Sequence, residues 1–200
     1  MNELTELINY IYEKYIFISN EWSESDKYSI INMQKLRVDD IYNNQELLDV
    51  VFNYRNFINE YAFELMNSIQ ALNGNISCRV KALNSIQFKI ENYKKNHEDG
   101  KVAIRKCLND LFGIRIILQD DLNYESIKRY VDDKFPLLKC NIKQKDNYFA
   151  VHIYFGNDDN TKFQWELQIW SEKFKKNNYI SHAKYKQEYT KWENENIRED

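Results

Sequence analysis

The spacing of apolar residues divides the chain into a helical first part and a strand-rich second part. From residue 3 to about residue 72, apolar positions recur every three or four residues, which predicts helices. Turn-forming residues at 23–26 predict a break after the first helix, and two or three further helices should follow before a turn at 73–75. We expect this first part to pack on the remainder of the chain or to bind a partner.

The second part alternates between apolar and polar positions in several short segments. The predicted strands cover residues 76–82, 113–118, 138–144, 149–155 and 163–170, and the predicted helices cover residues 85–95, 124–135 and 179–192. The turn cluster at 156–160 predicts that the last two strands form an antiparallel hairpin. Helices followed by strands with interleaved helices predict an α+β (mixed α/β) fold built on one sheet.

The chain length and composition predict one ordinary domain. Its 200 residues, 43% of them hydrophobic, can bury a sizeable core. We expect a helical N-terminal region at 1–72 that packs on or extends a domain at 73–192, followed by a polar tail at 193–200. The sequence contains no apolar run of about eighteen residues, and its first residues are charged, so we expect a cytoplasmic protein without a membrane segment.

Charge and cysteine content narrow the classes of function. The net charge of -3 argues against a protein that coats nucleic acid non-specifically, because such binding depends on neutralising phosphates. Any contact with nucleic acid must therefore be local. The three cysteines are far apart in sequence, which favours free thiols in a reducing compartment over a zinc site or a disulfide.

A basic segment follows the helical part. Alternation places Arg79 and Lys81 on one face of the predicted strand, and Ser85 and Lys89 lie one helical turn apart. A strand that leads into a helix N-terminus suits a polyphosphate, because the first amide groups of the helix are unpaired donors. Spacing alone leaves open a solvated basic face in which Ser85 caps the helix.

Two acidic residues are associated with predicted strands. Asp110 stands just before the strand at 113–118, whereas Glu166 and Gln168 share one face of the last strand, opposite its apolar residues. An unpaired buried carboxylate is costly, so a metal or a cation should neutralise Glu166. Asp110 and Glu166 together would suit Mg²⁺. The alternative is that each carboxylate pairs with a lysine or an arginine.

An aromatic residue and a histidine share one face of the strand at 149–155. Tyr148 and His152 are four positions apart with Ala150 between them, and the larger apolar residues at 149, 151, 153 and 155 take the opposite face. The tyrosine could stack on a base and the histidine could donate to a phosphate. An ordinary sheet tyrosine and a hydrogen-bonded core histidine would give the same pattern.

Five motifs between about residue 75 and residue 190 resemble those of the synthetase domain of the RelA/SpoT family. They are the Arg-x-Lys-x-x-x-Ser-x-x-x-Lys segment from Arg79 to Lys89, Asp110 followed by Gly113 and Arg115, the Tyr-x-x-x-His of Tyr148 and His152, the Glu-Leu-Gln-Ile of residues 166–169, and the His-x-x-Tyr-Lys from His182 to Lys186. The resemblance implies a RelA/SpoT-like mixed sheet flanked by helices. It also implies a pyrophosphokinase that moves the β,γ-pyrophosphate of ATP onto a ribose 3'-hydroxyl.

The resemblance also implies roles for individual residues. ATP phosphates would be held by Arg79, Lys81, Ser85 and Lys89, with Arg115 near them or near the adenine. Mg²⁺ would be held by Asp110 and Glu166, with Gln168 as a further catalytic candidate. The acceptor would be bound by Tyr148, His152 and Lys145, and the remaining motif residues are His182 and Lys186.

Departures from the family pattern leave the acceptor open. No histidine is followed by aspartate, so the His-Asp hydrolase part of long family members is not expected, and residues 144–147 replace the usual Lys-x-Asn-Gly. Residues 165–170 and 185–189 resemble toxic small alarmone synthetases, several of which pyrophosphorylate the 3'-CCA end of tRNA. We expect tRNA as the acceptor, with the guanosine nucleotides GTP and GDP, which would yield (p)ppGpp, as the alternative. A non-catalytic binding module is a second alternative.

A tRNA acceptor would require a local cationic patch. The candidate lysines are Lys94, Lys95, Lys173, Lys175 and Lys176, although solvated lysines would give the same sequence. A toxin would also have an antitoxin protein as its partner, which is implied by the resemblance alone. The sequence leaves the oligomeric state open.

Overall fold

The computed structural model describes residues 2–25, 27, 30–72, 75–119 and 123–196. Residues 73 and 74 of the predicted turn lie outside the described residues, as does the predicted 193–200 tail from residue 197 onward. Residues 193–196 of that predicted tail belong to the last helix instead. Within the described residues, no helix combines the length and the apolar character needed to cross a lipid bilayer.

Helices dominate the first part of the chain, as predicted. The first helix is followed after a break by a short and then a long helix, namely α1 (Asn2–Glu24), α2 (Val38–Tyr42) and α3 (Gln45–Leu72). The break begins two residues later than predicted, because α1 continues through Glu24. Asp40 accepts a hydrogen bond from the Arg37 backbone N–H at 2.7 Å, which helps to start α2 after the break.

The second part contains five strands, four further α-helices and one short 3₁₀ helix (Glu98–Gly100) in its described residues. The strands are β1 (Ile76–Val80), β2 (Phe112–Leu118), β3 (Lys139–Lys145), β4 (Tyr148–Phe155) and β5 (Trp165–Ser171), and the helices are α4 (Leu83–Asn96), α5 (Ile104–Cys107), α6 (Tyr124–Lys134) and α7 (Glu172–Asn196). Each predicted strand is present, with ends shifted by one or two residues. Helix α7 begins seven residues before its predicted start at 179. The apolar pattern does not predict these first two turns, because they carry lysines and asparagines and lack an apolar period.

The strands form one mixed sheet in the order β1-β2-β5-β4-β3. Strands β4 and β5 are antiparallel, which confirms the predicted hairpin pairing. Strand β5 also runs parallel to β2, so it lies in the middle of the sheet. The α+β fold expected from the pattern is confirmed.

Apolar side chains of one sheet face pack against the N-terminal helices. The Trp165 ring lies between Tyr15 of α1 and Phe112 of β2, at centroid distances of 5.4 and 4.7 Å. Its indole N–H donates to the hydroxyl of Tyr54 in α3 at 2.8 Å. Truncating such a fully buried tryptophan costs about 3–5 kcal/mol. This core holds β5 in place, and the opposite sheet face is left to polar residues.

A candidate active site on the polar face of the sheet

Cross-strand register lines up polar residues on the face of the sheet opposite this core. One row runs from Arg115 in β2 to Gln168 in β5 and His152 in β4. The next row pairs Arg79 with Gly113, and Gly113 with Glu166. Because Gly113 has no side chain, the Arg79 side chain can lie over it, with Cγ and Nε each 3.8 Å from the point that a Cβ would occupy. The rows bring together residues from motifs that are distant in sequence.

A cavity of about 470 Å³ lies over these rows. It is lined by Arg79, Lys81, Lys89, Asn92, Tyr93, His97, Asn109, Asp110, Lys143, Lys145, Tyr148, His152, Tyr154, Glu166, Gln168, Ser181 and His182. Five of these side chains are lysine or arginine and two are carboxylates, so the lining carries an excess of positive charge. A cavity of this size and charge suits a phosphorylated ligand.

Asp110 is held by two buried lysines. Lys81 Nζ lies 2.7 Å from Asp110 Oδ2, and Lys89 Nζ lies 2.9 Å from Asp110 Oδ1. Burial acts to raise the pKa of Asp110, but the two ammonium groups outweigh it and hold that pKa well below its usual range. Burial lowers the pKa of Lys81. Burial also acts to lower the pKa of Lys89, but Asp110, together with Cys107 and Tyr93, outweighs it and the pKa of Lys89 is raised. The effect of burial on the pKa is therefore offset at Lys89 but not at Lys81.

Arg79 completes the group around Asp110 from the open side. Its guanidinium lies 4.0 Å from Asp110 Oδ2, and its side chain is 49% exposed, compared with 7% for Lys81. Asp110 thus already has two close partners, and the arginine keeps most of its donors free for a ligand in the cavity.

Glu166 is held by directional hydrogen bonds. His152 Nδ1 lies 2.7 Å from Glu166 Oε1, and Gln168 Nε2 donates to Glu166 Oε2 at 2.7 Å. Burial acts to raise the pKa of Glu166, but these two partners outweigh it and the pKa is lowered. An ionised carboxylate only accepts hydrogen bonds, so the proton in the His152 bond belongs to Nδ1. Tyr148 Oη, 2.7 Å from His152 Nε2, fixes the other side of the ring.

Arg115 holds Gln168, one of the two partners of Glu166. Its guanidinium donates to Gln168 Oε1 at 3.2 and 3.1 Å and lies 3.8 Å from the centroid of the Trp170 ring. The His182 ring also stacks on Trp170, and the two ring centroids are 5.5 Å apart. Burial, together with the charge of Arg115, lowers the pKa of His182 to about 4. His182 is therefore neutral at pH 7.

Most of the residues singled out from the sequence meet at this cavity. It is lined by Arg79, Lys81, Lys89, Asp110, Lys145, Tyr148, His152, Glu166, Gln168 and His182. Arg115 does not line it and acts through Gln168. Ser85 is not among the described residues of the lining. The side chain of Lys186 lies outside the described residues.

The alternative for the basic segment, a solvated face with Ser85 as the helix cap, is wrong in both parts. Lys81 and Lys89 are not solvated, since their side chains are 7% and 14% exposed. Ser85 does not cap α4, because the N-cap residue is Ala82 and it makes no side-chain cap bond. The alternative that each carboxylate pairs with a lysine or an arginine holds for Asp110 but not for Glu166, whose partners are His152 and Gln168.

Several lining residues were not anticipated from the sequence, although simple spacing points to some of them. Tyr154 follows His152 by two residues on β4, and Lys143 precedes Lys145 by two on β3, so alternation places each on the cavity side. The others not anticipated are Asn92, Tyr93, His97, Asn109 and Ser181. Tyr93 follows Lys89 by one helical turn, which is the signal that could have found it.

The lysines considered for a nucleic-acid contact form two separate groups. Trp192 near the end of α7 donates to Glu91 of α4 at 2.8 Å, which places Lys94 and Lys95 at that end. Lys176 lies sixteen residues earlier on α7, a distance of about 24 Å along the helix axis. Within the described residues, Lys94 pairs with Asp39, Lys95 with Glu91 and Lys175 with Glu172. These lysines do not form one continuous patch.

The two carboxylates provide the ligand chemistry for a magnesium ion. In the described part of the chain, no group of three or more His, Cys, Asp or Glu side chains is arranged to hold a metal. Mg²⁺ needs fewer protein ligands, because it binds through one or two carboxylates and keeps waters or substrate phosphates. Asp110 acts to raise the pKa of Glu166, so the two groups interact electrostatically across the cavity. The donor set therefore fits Mg²⁺, provided that the lysines release Asp110.

Comparison with known proteins agrees with the motifs. A family model described as "Region found in RelA / SpoT proteins" matches residues 78–190. No curated protein sequence matches. Solved structures with a similar arrangement include the small alarmone synthetase 1 from Bacillus subtilis, at 16% identity and a TM-score of 0.42, with 73% of this chain and 82% of that chain covered. The small alarmone synthetase 2 from the same organism gives 17% identity and a TM-score of 0.40, with 64% and 77% covered. Because the matched region spans more than half of the chain, the protein belongs to the RelA/SpoT family.

Proposed function

We propose that the protein is an ATP-dependent pyrophosphokinase that transfers the β,γ-pyrophosphate of ATP to the ribose 3'-hydroxyl at the CCA end of tRNA. The observation that carries the proposal is the cavity in which five cationic side chains face two buried carboxylates. We assign the catalytic domain to residues 73–192 and a packing role to residues 1–72. Membership of the RelA/SpoT family supports the reaction class.

The phosphates of ATP would be bound by Arg79, Lys81 and Lys89. Both lysines donate to Asp110, 2.7 and 2.9 Å away, so their ammonium groups already point at one anionic oxygen pair. A phosphate oxygen can replace that partner at little cost, because it offers the same charge and the same acceptor geometry. Arg79 is more exposed and would bind the phosphates from the open side.

Asp110 and Glu166 would hold Mg²⁺, which neutralises phosphate charge when it is bound. Glu166 is kept ionised and fixed in direction by His152 and Gln168. The transfer needs little covalent help from the protein, because positioning and charge neutralisation carry most of the catalysis. In it, the 3'-hydroxyl loses its proton to solvent as its oxygen bonds to the β-phosphorus, the bond from that phosphorus to the oxygen shared with the α-phosphate breaks, and AMP leaves with that oxygen.

The acceptor would lie on the β4 side of the cavity. Tyr148 would stack on its terminal base, and His152 would orient the reacting groups through the bond that it makes to Glu166. Lys145 is opposite Tyr148 in the β3–β4 register, where it can meet an acceptor phosphate. These residues recognise a base and a phosphate, which a tRNA end and a free nucleotide share.

A second candidate acceptor is a guanosine nucleotide, GTP or GDP, which would make the protein an alarmone synthetase. The ion pairs of Lys94, Lys95 and Lys175 favour this candidate, because paired lysines offer less charge to an RNA backbone. The difference between the two candidates lies in the acceptor alone.

The test is incubation of the purified protein with γ-labelled ATP and Mg²⁺, with deacylated tRNA in one reaction and GTP or GDP in another. Label on tRNA supports the proposed acceptor, and label on the guanosine nucleotide alone replaces it by the second candidate. Glu166→Gln should reduce transfer by at least about a hundredfold, the scale set by removing one group that stabilises charge in a transition state. The matched control is Glu172→Gln, at a half-exposed position outside the cavity lining. No label on either acceptor would leave a binding module.

A further inference from the structure

The cavity extends beyond the groups that the proposed reaction uses. Its lining includes Asn92, Tyr93 and His97 from the end of α4 and the residue that follows it, and Lys143 from β3. The phosphate-binding and catalytic roles described above account for none of these four residues. They line the same cavity as the groups of the proposed reaction.

Tyr93 and His97 form a stacked aromatic pair in this part. Their ring centroids are 4.3 Å apart, and their planes differ by 28°. His97 is exposed and lines the cavity, so its imidazole ring is accessible to a ligand. Lys89 Nζ, which also contacts Asp110, lies 6.0 Å from the centroid of the Tyr93 ring. The stacked pair is thus adjacent to the phosphate-binding group.

The backbone fixes the position of His97. Its N–H donates to the Tyr93 carbonyl oxygen at 3.0 Å, and its own carbonyl oxygen accepts from Gly100 at 2.9 Å. The following residues Glu98, Asp99 and Gly100 all have positive φ values, which end the helix directly after His97. The imidazole ring is therefore held at the edge of the cavity by the turn as well as by the stacking.

Two lysines from β3 line the same cavity. Lys143 and Lys145 are two residues apart, so both project from one face of the strand. Lys145 is opposite Tyr148 and Lys143 is opposite Ala150 in the β3–β4 register. Neither lysine forms an ion pair within the described residues, unlike Lys81 and Lys89. They supply positive charge beside Tyr148 that Asp110 and Glu166 do not neutralise.

Aromatic platforms that alternate with cations are the usual means of binding single-stranded nucleic acid. Each base stacks on a ring, and the phosphates between the bases meet lysine or arginine. A mononucleotide acceptor needs one platform, which Tyr148 supplies in the proposed function. The stacked pair of Tyr93 and His97 is a second platform in the same cavity, with Lys143 and Lys145 also in its lining.

We propose that the stacked pair of Tyr93 and His97, with Lys143 and Lys145, is a subsite for a second base of the acceptor, the one on the 5' side of the reacting nucleotide. The ligand is a single-stranded RNA 3' end. This inference rests on the proposed function for the position of the reacting ribose. It adds residues that select an oligonucleotide over a free nucleotide.

The test compares acceptors of different length with the purified full chain. The probes are a short single-stranded RNA that ends in CCA and a mononucleotide acceptor, GTP, each with γ-labelled ATP and Mg²⁺. His97→Ala should raise the KM for the RNA about tenfold to a hundredfold, the range expected for the loss of one base–aromatic contact. It should leave the KM for ATP and for GTP unchanged. His97→Tyr keeps a stacking ring and should restore the KM for the RNA.

The control variant is Asn96→Ala, at an exposed position next to His97 that does not line the cavity. It should bind the RNA like the unmodified protein. A rise in the KM for ATP in His97→Ala would overturn the inference, because the ring would then serve the donor. Equal effects on RNA and GTP, or no labelling of RNA beside strong labelling of GTP, would also overturn it.

A binding measurement separates this inference from the proposed reaction. Fluorescence anisotropy of the labelled RNA with the protein requires no turnover. Weaker binding by His97→Ala, with no transfer to any acceptor by the unmodified protein, would support the subsite and reject the pyrophosphokinase. Equal binding by His97→Ala and the unmodified protein would reject the subsite whatever the activity.

Discussion

The two buried carboxylates of the cavity are neutralised in different ways. Asp110 lies before β2 and is held by two ammonium groups, Lys81 after β1 and Lys89 on α4. Glu166 lies within β5 and is held by an imidazole and an amide, from His152 on β4 and from its neighbour Gln168. Both carboxylates have lowered pKa values against the effect of burial.

The two carboxylates differ in how easily a ligand can take over their hydrogen-bonding partners. Lysine is a point charge on a flexible chain, so it can move from a carboxylate to a phosphate without a demand on orientation. The Glu166 partners are fixed in direction, because Tyr148 holds His152 and Arg115 holds Gln168. We infer that the Asp110 side responds to the ligand, whereas the Glu166 side is preorganised before it arrives.

The largest expected effect follows from removing the charge of Asp110. Asp110→Asn leaves Lys81 and Lys89 buried without a counter-charge, so the free energy of unfolding should fall by about 3–5 kcal/mol. Urea denaturation followed by circular dichroism measures the loss. The control is Asp132→Asn on α6, whose partly exposed pair with Lys128 should be worth less than about 1 kcal/mol. Similar losses for the two variants would contradict the description of Asp110 as a buried ionic centre.

A double variant sharpens the same prediction. Lys81→Met removes one of the two buried ammonium groups, so in the Asp110→Asn background it should cost much less than in the unmodified protein. The coupling between the two positions should be about 1–3 kcal/mol. Additive losses would mean that the ion pair adds little to the stability of this side of the cavity.

A smaller effect on stability should come from the titration of His182, which lies on the Glu166 side of the cavity. The pKa of His182 is lowered from 6.5 to about 4, so the unfolded chain binds a proton in this interval and the folded chain does not. Stability should therefore fall as the pH drops from 6.5 toward about 5, by about 1 kcal/mol after allowance for the partial exposure of the ring. The lowered carboxylate pKa values act at lower pH, below their ordinary values of 3.8 and 4.5.

The measurement for His182 is the free energy of unfolding as a function of pH. His182→Gln should flatten the dependence between pH 6.5 and about 5, because glutamine has no proton to bind. A profile of unchanged slope in the variant would mean that another group titrates in this interval.

The smallest effect should come from one hydrogen bond of the preorganised side. Tyr148→Phe keeps the ring but removes the bond to His152 Nε2, which should cost about 0.5–1.5 kcal/mol of stability. Chemical denaturation measures it, with the exposed Tyr42→Phe as the control. A loss no greater than that of the control would show that Tyr148 does not fix the imidazole.

Sequence patterns predicted the secondary structure better than the contacts of the site. Alternation along β5 separated Glu166 and Gln168 from the buried Trp165, Leu167 and Ile169, because side-chain direction in a strand depends only on parity. The pattern does not reveal the start of α7, since its first two turns are anchored by the Phe174 ring against Phe149 and by the buried Asn178, which bonds the Phe149 backbone, rather than by an apolar period. Ser85 was placed with the phosphate-binding group by helical spacing, but it is not among the described residues of the lining.

The sequence by itself determined the five strands, the helical first part, the antiparallel pairing of β4 with β5 and the residue types needed for a phosphate site. These properties depend on local periodicity and on turn residues, which are readable along the chain. Only the tertiary structure decided that β5 lies between β2 and β4, that Lys81 and Lys89 share Asp110, and that His152 is the partner of Glu166. The side-chain pairings join residues 14 to 29 positions apart, and β2 pairs with β5 across 53 positions, so their choice depends on sheet order and burial.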